Sequence, residues 1–464
     1  MDKPPRSKRI GFYAIFWLLI GIGVLSAMGW SYLSAAHPKE KYTGWDQDRA
    51  PDQIGVPSGS ITVSTDFEGA QPLEVREISP THFWIMIGEH DPSTWFAFEV
   101  TGAAGKTVSF DIMISEKPEN WATVNPVLCY TDSYELGNPD TFECRSLQAD
   151  QPMVRFPNRA KAPPTNGVQK WQFIEKSSLS DDGLHFTQHF EQSPAIVAMT
   201  YPLTPKLNSR FIDDAARSPL AKIITVGTSA RNRPLQIVQI ANALPAASDH
   251  RPMMAVVARD IGCDQEPGWV AWGMIHFLLS DDPAAQEARS RCIFAFMPCV
   301  DPDSAAVGGR DLQMIDILQD GNKRPEPRRY AEYFNKQRDA GHRPVLALTL
   351  RTVIDITLPV QVTVGEAERG YQHEKLSPIL SPILKAKGIS FDDRYSNYFG
   401  STYYDFPAWF IRHFQAESLE FATNGQCSAG HMTLGQLQDV GQCLVRTVNE
   451  YLKPKPQGDA GAGQ

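Results

Sequence analysis

Residues 258–269 read ARDIGCDQEPGW, and this short stretch gathers the Cys263 thiol with the carboxylates of Asp260, Asp264 and Glu266. It lies between an apolar run, PMMAVVARD, and an amphipathic one, GWVAWGMIHFLL. A strand therefore runs into an acidic, glycine-containing turn and then a helix, the place where many α/β hydrolytic enzymes hold a metal or a nucleophile. Cys263 and Glu266 are three residues apart, a spacing at which a thiolate and a carboxylate can meet one ion, with Asp260 close by. The alternative is structural, with the acidic groups forming a solvated turn that complements the following helix N-terminus. A further carboxylate, Glu420, lies in the middle of ESLEFAT, where it either serves chemistry or bonds nearby backbone amides. Histidine offers little. His185 and His189 lie in strand-like HFTQHF, on one sheet face roughly 13 Å apart, too far for a metal pair. His276 is inside an amphipathic helix, and His413 and His431 have no partner at ligand spacing.

These residues need elements to position them. From Ser58 to about Thr204 short alternating segments (ITVSTDF, THFWIMIG, WFAFEVTG, KTVSFDIMI, VLCYT, HFTQHF, AIVAMTY) are separated by Gly, Pro, Asn and Asp clusters, the pattern of an antiparallel sandwich. After Asn208 longer units follow. LQIVQIAN, MMAVVARD, CIFAFMP and PVLALTLRTVIDI read as buried strands, and WVAWGMIHFLL, YAEYFNKQRDA, SPILSPILKAKG and LGQLQDVGQCLVRTVNEYL as helices, the last with Thr433 as N-cap. The predicted fold class is an α/β domain, a mixed sheet flanked by helices, preceded by an all-β sandwich and one N-terminal transmembrane helix. The boundaries are 1–9 for a basic cytoplasmic tail, 10–36 for the membrane anchor and 37–57 for a linker. They continue with 58–206 for the sandwich, 207–453 for the α/β domain and 454–464 for a disordered tail.

The anchor rests on Gly11–Ala35, which carries no charge and is long enough to cross ~30 Å of hydrocarbon. Lys3, Arg6, Lys8 and Arg9 predict a cytoplasmic N-terminus, so the body is expected to be extracytoplasmic, periplasmic in a Gram-negative cell. A cleaved signal peptide is the rival, but its apolar region is usually ~7 to 15 residues, and Trp30 and Tyr32 crowd the small-residue site at 34–36. A net charge of -9 over 464 residues with no long basic run excludes nucleic acid as a partner. Of 7 cysteines, Cys129 and Cys144 flank a polar loop and could be bridged, whereas Cys292, Cys299 and Cys443 lie in apolar runs and read as small core residues.

In this order along the chain, WFAFEVTGAAGKTVSFDI (95–112), VAMTYPLT (197–204), GTSARNRPLQIVQI (227–240), ARDIGCDQEPGWVAWGMIHFLLSDDPAAQ (258–286), MPCVDPDS (297–304), ESLEFAT (417–423) and GHMT (430–433) resemble segments of the cytosolic-carboxypeptidase branch of the zinc metallocarboxypeptidases. The resemblance implies metal-assisted hydrolysis of a C-terminal peptide bond. Zinc would be held by two histidines and a glutamate, and a separate glutamate would move protons. Laid on that pattern without gaps, the first ligand histidine falls on Ile261 and the ligand glutamate on Asp264. The third ligand ends an Asp-Leu-His run matched by Asp355-Ile356-Thr357, which places Thr357 in its seat. The rival ligand set, Cys263 and Glu266, needs an insertion before the turn and a deletion after it. Glu420 matches the proton-transferring carboxylate. Without zinc, that carboxylate would need a Lys or Arg in the ion's place to stay charged in a pocket. For the pair that grips the substrate carboxylate, one frame gives Gln313 and Met314 and another gives Asn322 and Lys323. Arg310, Lys323 and Arg324 could still offer positive charge to a peptide terminus.

An aliphatic side chain and a neutral hydroxyl in two ligand seats lead to the expectation of a zinc-less pseudopeptidase that binds a peptide or protein C-terminus, with no cofactor. Two other readings stay open. One is an active carboxypeptidase with a rearranged zinc site and Glu420 as general base; the other is a structural envelope protein.

Overall fold

The computed structural model describes residues 60–453 apart from 72, 88–94, 115–125, 131–170, 175–176, 181–182, 243–250, 310–323, 353–359, 364–372, 390–405, 425 and 428–429. The N-terminal half of this region obeys the alternation in the sequence. In KTVSFDIMI, Val108, Phe110 and Ile112 are buried, and Thr107, Ser109 and Asp111 take the opposite face. Repeated along the chain, that pattern makes two five-stranded sheets. One has the order β1 (Thr62–Ser64), β4 (Ala97–Thr101), β10 (Ala195–Ala198), β6 (Val127–Tyr130), β7 (Gln172–Phe173). The other runs β2 (Leu73–Ser79), β3 (His82–Ile87), β5 (Lys106–Ile114), β9 (Gly183–Phe190), β8 (Ser177–Leu179). Their inner faces share one core in which Phe98 meets Phe110 and Phe110 stacks on Phe186, which makes the pair a sandwich. β2, β7 and β8 are additional to the strands expected; LEVREIS carries three charges, at Glu74, Arg76 and Glu77, and the other two are two and three residues long.

The second half is a seven-stranded mixed sheet in the order β11 (Ala221–Thr228), β12 (Pro234–Ile240), β14 (Ile293–Met297), β13 (Met253–Val257), β15 (Pro344–Thr352), β17 (Glu417–Thr423), β16 (Val360–Thr363). The four central strands are parallel and the outer pairings antiparallel. Helices cover both faces. On one lie α1 (Pro205–Ala216), α2 (Glu266–Leu279), α3 (Pro283–Arg291), α6 (His373–Ala386) and α8 (Leu434–Tyr451); on the other, α5 (Pro325–Asp339) and α7 (Phe406–Phe414). The short α4 (Pro302–Ala306) follows β14. In β13, Met254 and Val256 enter one core and Met253, Ala255 and Val257 the other, which is why its sequence shows no polar alternation. Thr433 caps α8 in a capping box with Gln436, as its position predicts. Cys292, Cys299 and Cys443 are buried, as expected of core residues, while Cys144 lies outside the described residues.

The sandwich and the α/β part are joined by shared packing. Trp95, Ala198, Tyr201 and Leu203 belong to the same apolar cluster as Trp269 and Trp272 of α2. The Trp269 indole donates to the Tyr201 carbonyl at 2.9 Å, and the Leu203 amide donates to Gln265 Oε1 at 2.8 Å.

The expectation of a membrane protein is corrected here. Among the described residues no helix is long and apolar enough to cross a membrane. The strongly apolar α2 has 14 residues, about 21 Å against the ~30 Å required. The longer α8 carries Asp439, Arg446 and Glu450 and packs on the sheet. The segment 10–36 that was expected to form the transmembrane helix lies outside the described residues, as do the tail, the linker and residues 454–464. A transmembrane helix, a single-pass topology with an extracytoplasmic body, and the membrane as a partner are therefore not supported.

Helix α2 crosses α8 at Gly273 and Gly441, where a Cβ on Gly441 would lie 2.2 Å from the Val270 carbonyl oxygen and one on Gly273 2.2 Å from that of Gln438. Backbone cannot give way as a side-chain tip can, so Gly441→Val is expected to cost ~1 to 3 kcal/mol or more. A thermal melt of the full chain followed by circular dichroism checks this. Gly435→Ala, with only Thr433 Oγ1 near at 3.9 Å, is the control and should not lower the midpoint.

Candidate functional site

The parallel strands β13, β14, β15 and β17 end on one edge of the sheet, the edge at which α/β proteins bind ligands. The turn after β13 is held there by a buried arginine. Arg259 has φ 53°, a conformation that costs an ordinary residue ~1 to 3 kcal/mol. Its guanidinium is fully buried, donating to the Leu203 carbonyl and, at 2.7 Å, to the Gly262 carbonyl. Gly262 passes so close to α4 that a Cβ would stand 2.4 Å from the Ala305 nitrogen. The turn is thus clamped between the sandwich's last segment and α4.

This clamp sets Asp260, only 1% exposed, against the end of β15. Arg351 Nη1 lies 2.7 Å from Asp260 Oδ1, and Arg351 Nε lies 3.8 Å from Glu420 Oε2. Glu420 is opposite Thr349 in the β15–β17 register, so Thr349, Arg351 and Glu420 share a sheet face. The Thr352 amide donates to Asp264 Oδ2 at 3.3 Å, tying the turn to the same strand end. Asp260 and Glu420 thus meet around one guanidinium, and Asp264 is tied to the next residue of the same strand. Sequence reasoning missed Arg351. Its signal is a lone cation closing the apolar strand PVLALTLRT.

The other residues singled out in the sequence fall elsewhere. Ile261 packs against the core at half-buried depth. Cys263 is buried among apolar residues, and its carbonyl accepts from Gln265 Nε2 at 3.1 Å. Glu266 accepts from Thr200 Oγ1 at 3.5 Å and is 3% exposed. Burial, and then the Glu266 charge, push the Tyr201 phenol far up. Cys263 and Glu266 thus have different described neighbours. The solvated acidic turn is also corrected: Asp260 and Glu266 are buried, and the α2 N-cap, Gln265, makes no side-chain capping bond. Arg324 is half-buried at the start of α5, while Arg310, Asn322, Lys323 and Thr357 lie outside the described residues.

Next to the turn, MPCVDPDS forms a second polar centre. Asp303 accepts from Ser229 Oγ at 2.8 Å, the Arg231 amide at 2.8 Å and Arg233 Nη1 at 2.9 Å. Asp301 caps α4 through the Ser304 amide and hydroxyl. Burial pushes the Asp301 carboxyl up to about 6, against the pull of its Ser304 hydrogen bonds and the Arg324 charge.

Zinc does not fit the described part of this edge. A catalytic zinc needs three protein donors whose lone pairs face it. Ile261 has none, Asp264 accepts the Thr352 amide, and a guanidinium that never gives up its charge stands beside Asp260 and Glu420. Among the described residues, no group of three or more His, Cys, Asp or Glu is placed to hold a metal.

Arg351→Met leaves Asp260 buried without its cation and is expected to cost ~3 to 5 kcal/mol in urea unfolding. Asp260→Asn combined with it should lose less than the sum of the single changes, and strict additivity would contradict the pairing. Asp301 gives a pH dependence of defined sign. Its folded pKa is above the unfolded value near 3.8, so its contribution is fully present below about pH 4 and is lost as pH rises through about 6. Wild type minus Asp301→Asn should therefore show stability falling across that window, by on the order of 3 kcal/mol.

Comparison with known proteins agrees with this architecture. The sequence model described as zinc carboxypeptidase, peptidase M14, matches residues 210–325. Mouse cytosolic carboxypeptidase 3 is 28% identical over 156 residues, 30% of this chain and 15% of its own length. Human cytosolic carboxypeptidase 2 is 27% identical over 136 residues, 26% of this chain and 15% of its own length. The chain thus aligns with about one-seventh of each of these relatives. Among solved structures, a metallo-carboxypeptidase from Pseudomonas aeruginosa superposes with a TM-score of 0.65 at 18% identity, covering 84% of this chain and 100% of that one. A metallo-carboxypeptidase from Burkholderia cenocepacia gives 0.66 at 13% identity, covering 84% and 98%. The chain has the M14 zinc-carboxypeptidase fold.

Proposed function

We propose that this chain is a degenerate relative of the cytosolic-carboxypeptidase branch that binds the C-terminal tail of a peptide or protein without hydrolysing it. The observation that carries the reading is the Arg351 guanidinium lying 2.7 Å from Asp260 and 3.8 Å from Glu420. A guanidinium supplies positive charge, but it cannot lower the pKa of a bound water as a divalent ion does. Glu420 is then a partner of Arg351 rather than a base acting on metal-bound water. Among the described residues the carboxylates of Asp260 and Glu420 face one guanidinium, so the strand end favours a neutral or basic side chain upstream in the tail. The tail's carboxylate is assigned to the basic stretch of sequence containing Arg310, Asn322, Lys323 and Arg324, since a planar guanidinium matches a carboxylate in two places.

Two measurements test this. Elemental analysis of the purified full chain is expected to find zinc far below one per chain. Calorimetric titration should show a peptide with a free C-terminal carboxylate binding more tightly than its amidated twin, with Arg324→Ala reducing that preference by about tenfold or more. Release of C-terminal residues, abolished by Glu420→Gln, would overturn the reading in favour of an active carboxypeptidase.

A further inference from the structure

The outward face of the second sandwich sheet carries a chain of four polar side chains that the strand-end site does not use. His185 Nδ1 lies 2.7 Å from Asp111 Oδ1, and His185 Nε2 lies 2.7 Å from Ser180 Oγ. The other Asp111 oxygen, Oδ2, lies 2.7 Å from His82 Nε2. The strand register produces this meeting. Asp111 stands opposite His185 in the antiparallel β5–β9 pair and opposite Trp84 in the parallel β3–β5 pair. His82, two residues before Trp84, shares that face. Ser180 follows β8, and its amide donates to the Gly183 carbonyl at 2.9 Å. All three titratable groups remain partly open to solvent, with side-chain exposures of 36% for His82, 25% for Asp111 and 32% for His185.

The proton positions follow from donor and acceptor capacity. Burial raises the Asp111 carboxyl, but the hydrogen bonds from His185 and then His82 outweigh it, and the group titrates below its usual value. An ionised carboxylate only accepts, so His185 Nδ1 must carry a hydrogen. In the neutral imidazole that leaves a lone pair on Nε2. In that tautomer the Ser180 hydroxyl can donate to His185 Nε2 at 2.7 Å, a shorter contact than its alternative acceptor, the Gly183 carbonyl at 3.5 Å. The nitrogen that meets the carboxylate and the one that meets the hydroxyl are the two that a serine nucleophile and its base require.

We propose that Ser180 is a nucleophile activated by His185, with Asp111 and His82 as positioning residues, and that this sheet face cleaves small carboxylic esters. Ser180 Oγ bonds to the ester carbonyl carbon as its proton passes to His185 Nε2. The carbon–oxygen bond to the alcohol then breaks, and the alcohol oxygen takes that proton from His185. Water, deprotonated by the same Nε2, attacks the acyl-serine, releasing the acid and restoring the Ser180 hydroxyl. Because the face is open rather than enclosed, the substrate class is a small ester with an accessible carbonyl.

The test uses the full chain, an alkyl fluorophosphonate and p-nitrophenyl acetate. One phosphonyl group per chain is expected, located on Ser180 by peptide mass spectrometry and slowed by p-nitrophenyl acetate. Ser180→Ala should abolish labelling and ester turnover, and His185→Gln should slow labelling by about a hundredfold or more. Ser178→Ala, on the neighbouring exposed position of β8, should leave both unchanged. Absence of label on Ser180 in the folded wild type overturns the proposal and needs no variant. So does labelling of a folded His185→Gln chain at the wild-type rate.

Discussion

A carboxylate as deeply buried as Asp260 must be met by a cation, because its lost hydration costs several kcal/mol that no neighbouring methyl group can return. Arg351 meets it at 2.7 Å, and the local structure is arranged so that it can. The turn after β13 has to stop where Asp260 faces β15, and β15 has to extend as far as Thr352. β17 has to pair in the register that puts Glu420 opposite Thr349. A one-residue slip of β17 would send Glu420 to the other face of the sheet, where Leu419 and Phe421 pack. The ionic cluster therefore constrains strand registers as well as holding charge.

The same turn explains why the sandwich and the α/β part share one core. Arg259, in a strained left-handed conformation, reaches back to the Leu203 carbonyl, and Gln265 accepts the Leu203 amide. Residues 201–203 thereby use backbone groups of the segment joining the two parts to pin the turn that carries Asp260. Changes in how the sandwich packs on α2 would reach the strand end through two side chains. Gly262 completes the arrangement from the other side, since any Cβ there would collide with α4.

Much of the fold was legible because it rests on local patterns. Alternation in KTVSFDIMI marked both ends of β5, and Thr433 marked the start of α8. The N-cap of α1, Thr204, closes the segment read as the sandwich's end, and PKLNSRFIDDAA went unread as a helix because its apolar positions are few. The site was legible only in part. The sequence directed attention to Ile261 and Asp264, but the partner of Asp260 lies 91 residues away, a distance at which no spacing rule operates. The Asp355-Ile356-Thr357 run drew attention past Arg351, the next-to-last residue of β15. Treating the acidic turn as solvated failed for the same reason: charges next to a glycine read as surface until a distant cation is found for them.

The contrast between the two polar clusters lies in proton mobility. Arg351 holds a permanent charge, so within the strand-end cluster it can fix geometry and attract or repel, but the guanidinium itself has no lone pair to take a proton. Glu420, the residue of that cluster best suited to proton transfer, faces this guanidinium. On the sandwich, His185 is held by a carboxylate that does not compete for its Nε2 lone pair, and a hydroxyl can donate to that lone pair. Proton transfer needs a group that can exist in both states near neutral pH, and imidazole is the side chain whose ordinary titration range meets that need. The two clusters thus differ in their central group, a guanidinium at the α/β edge and an imidazole on the sandwich sheet.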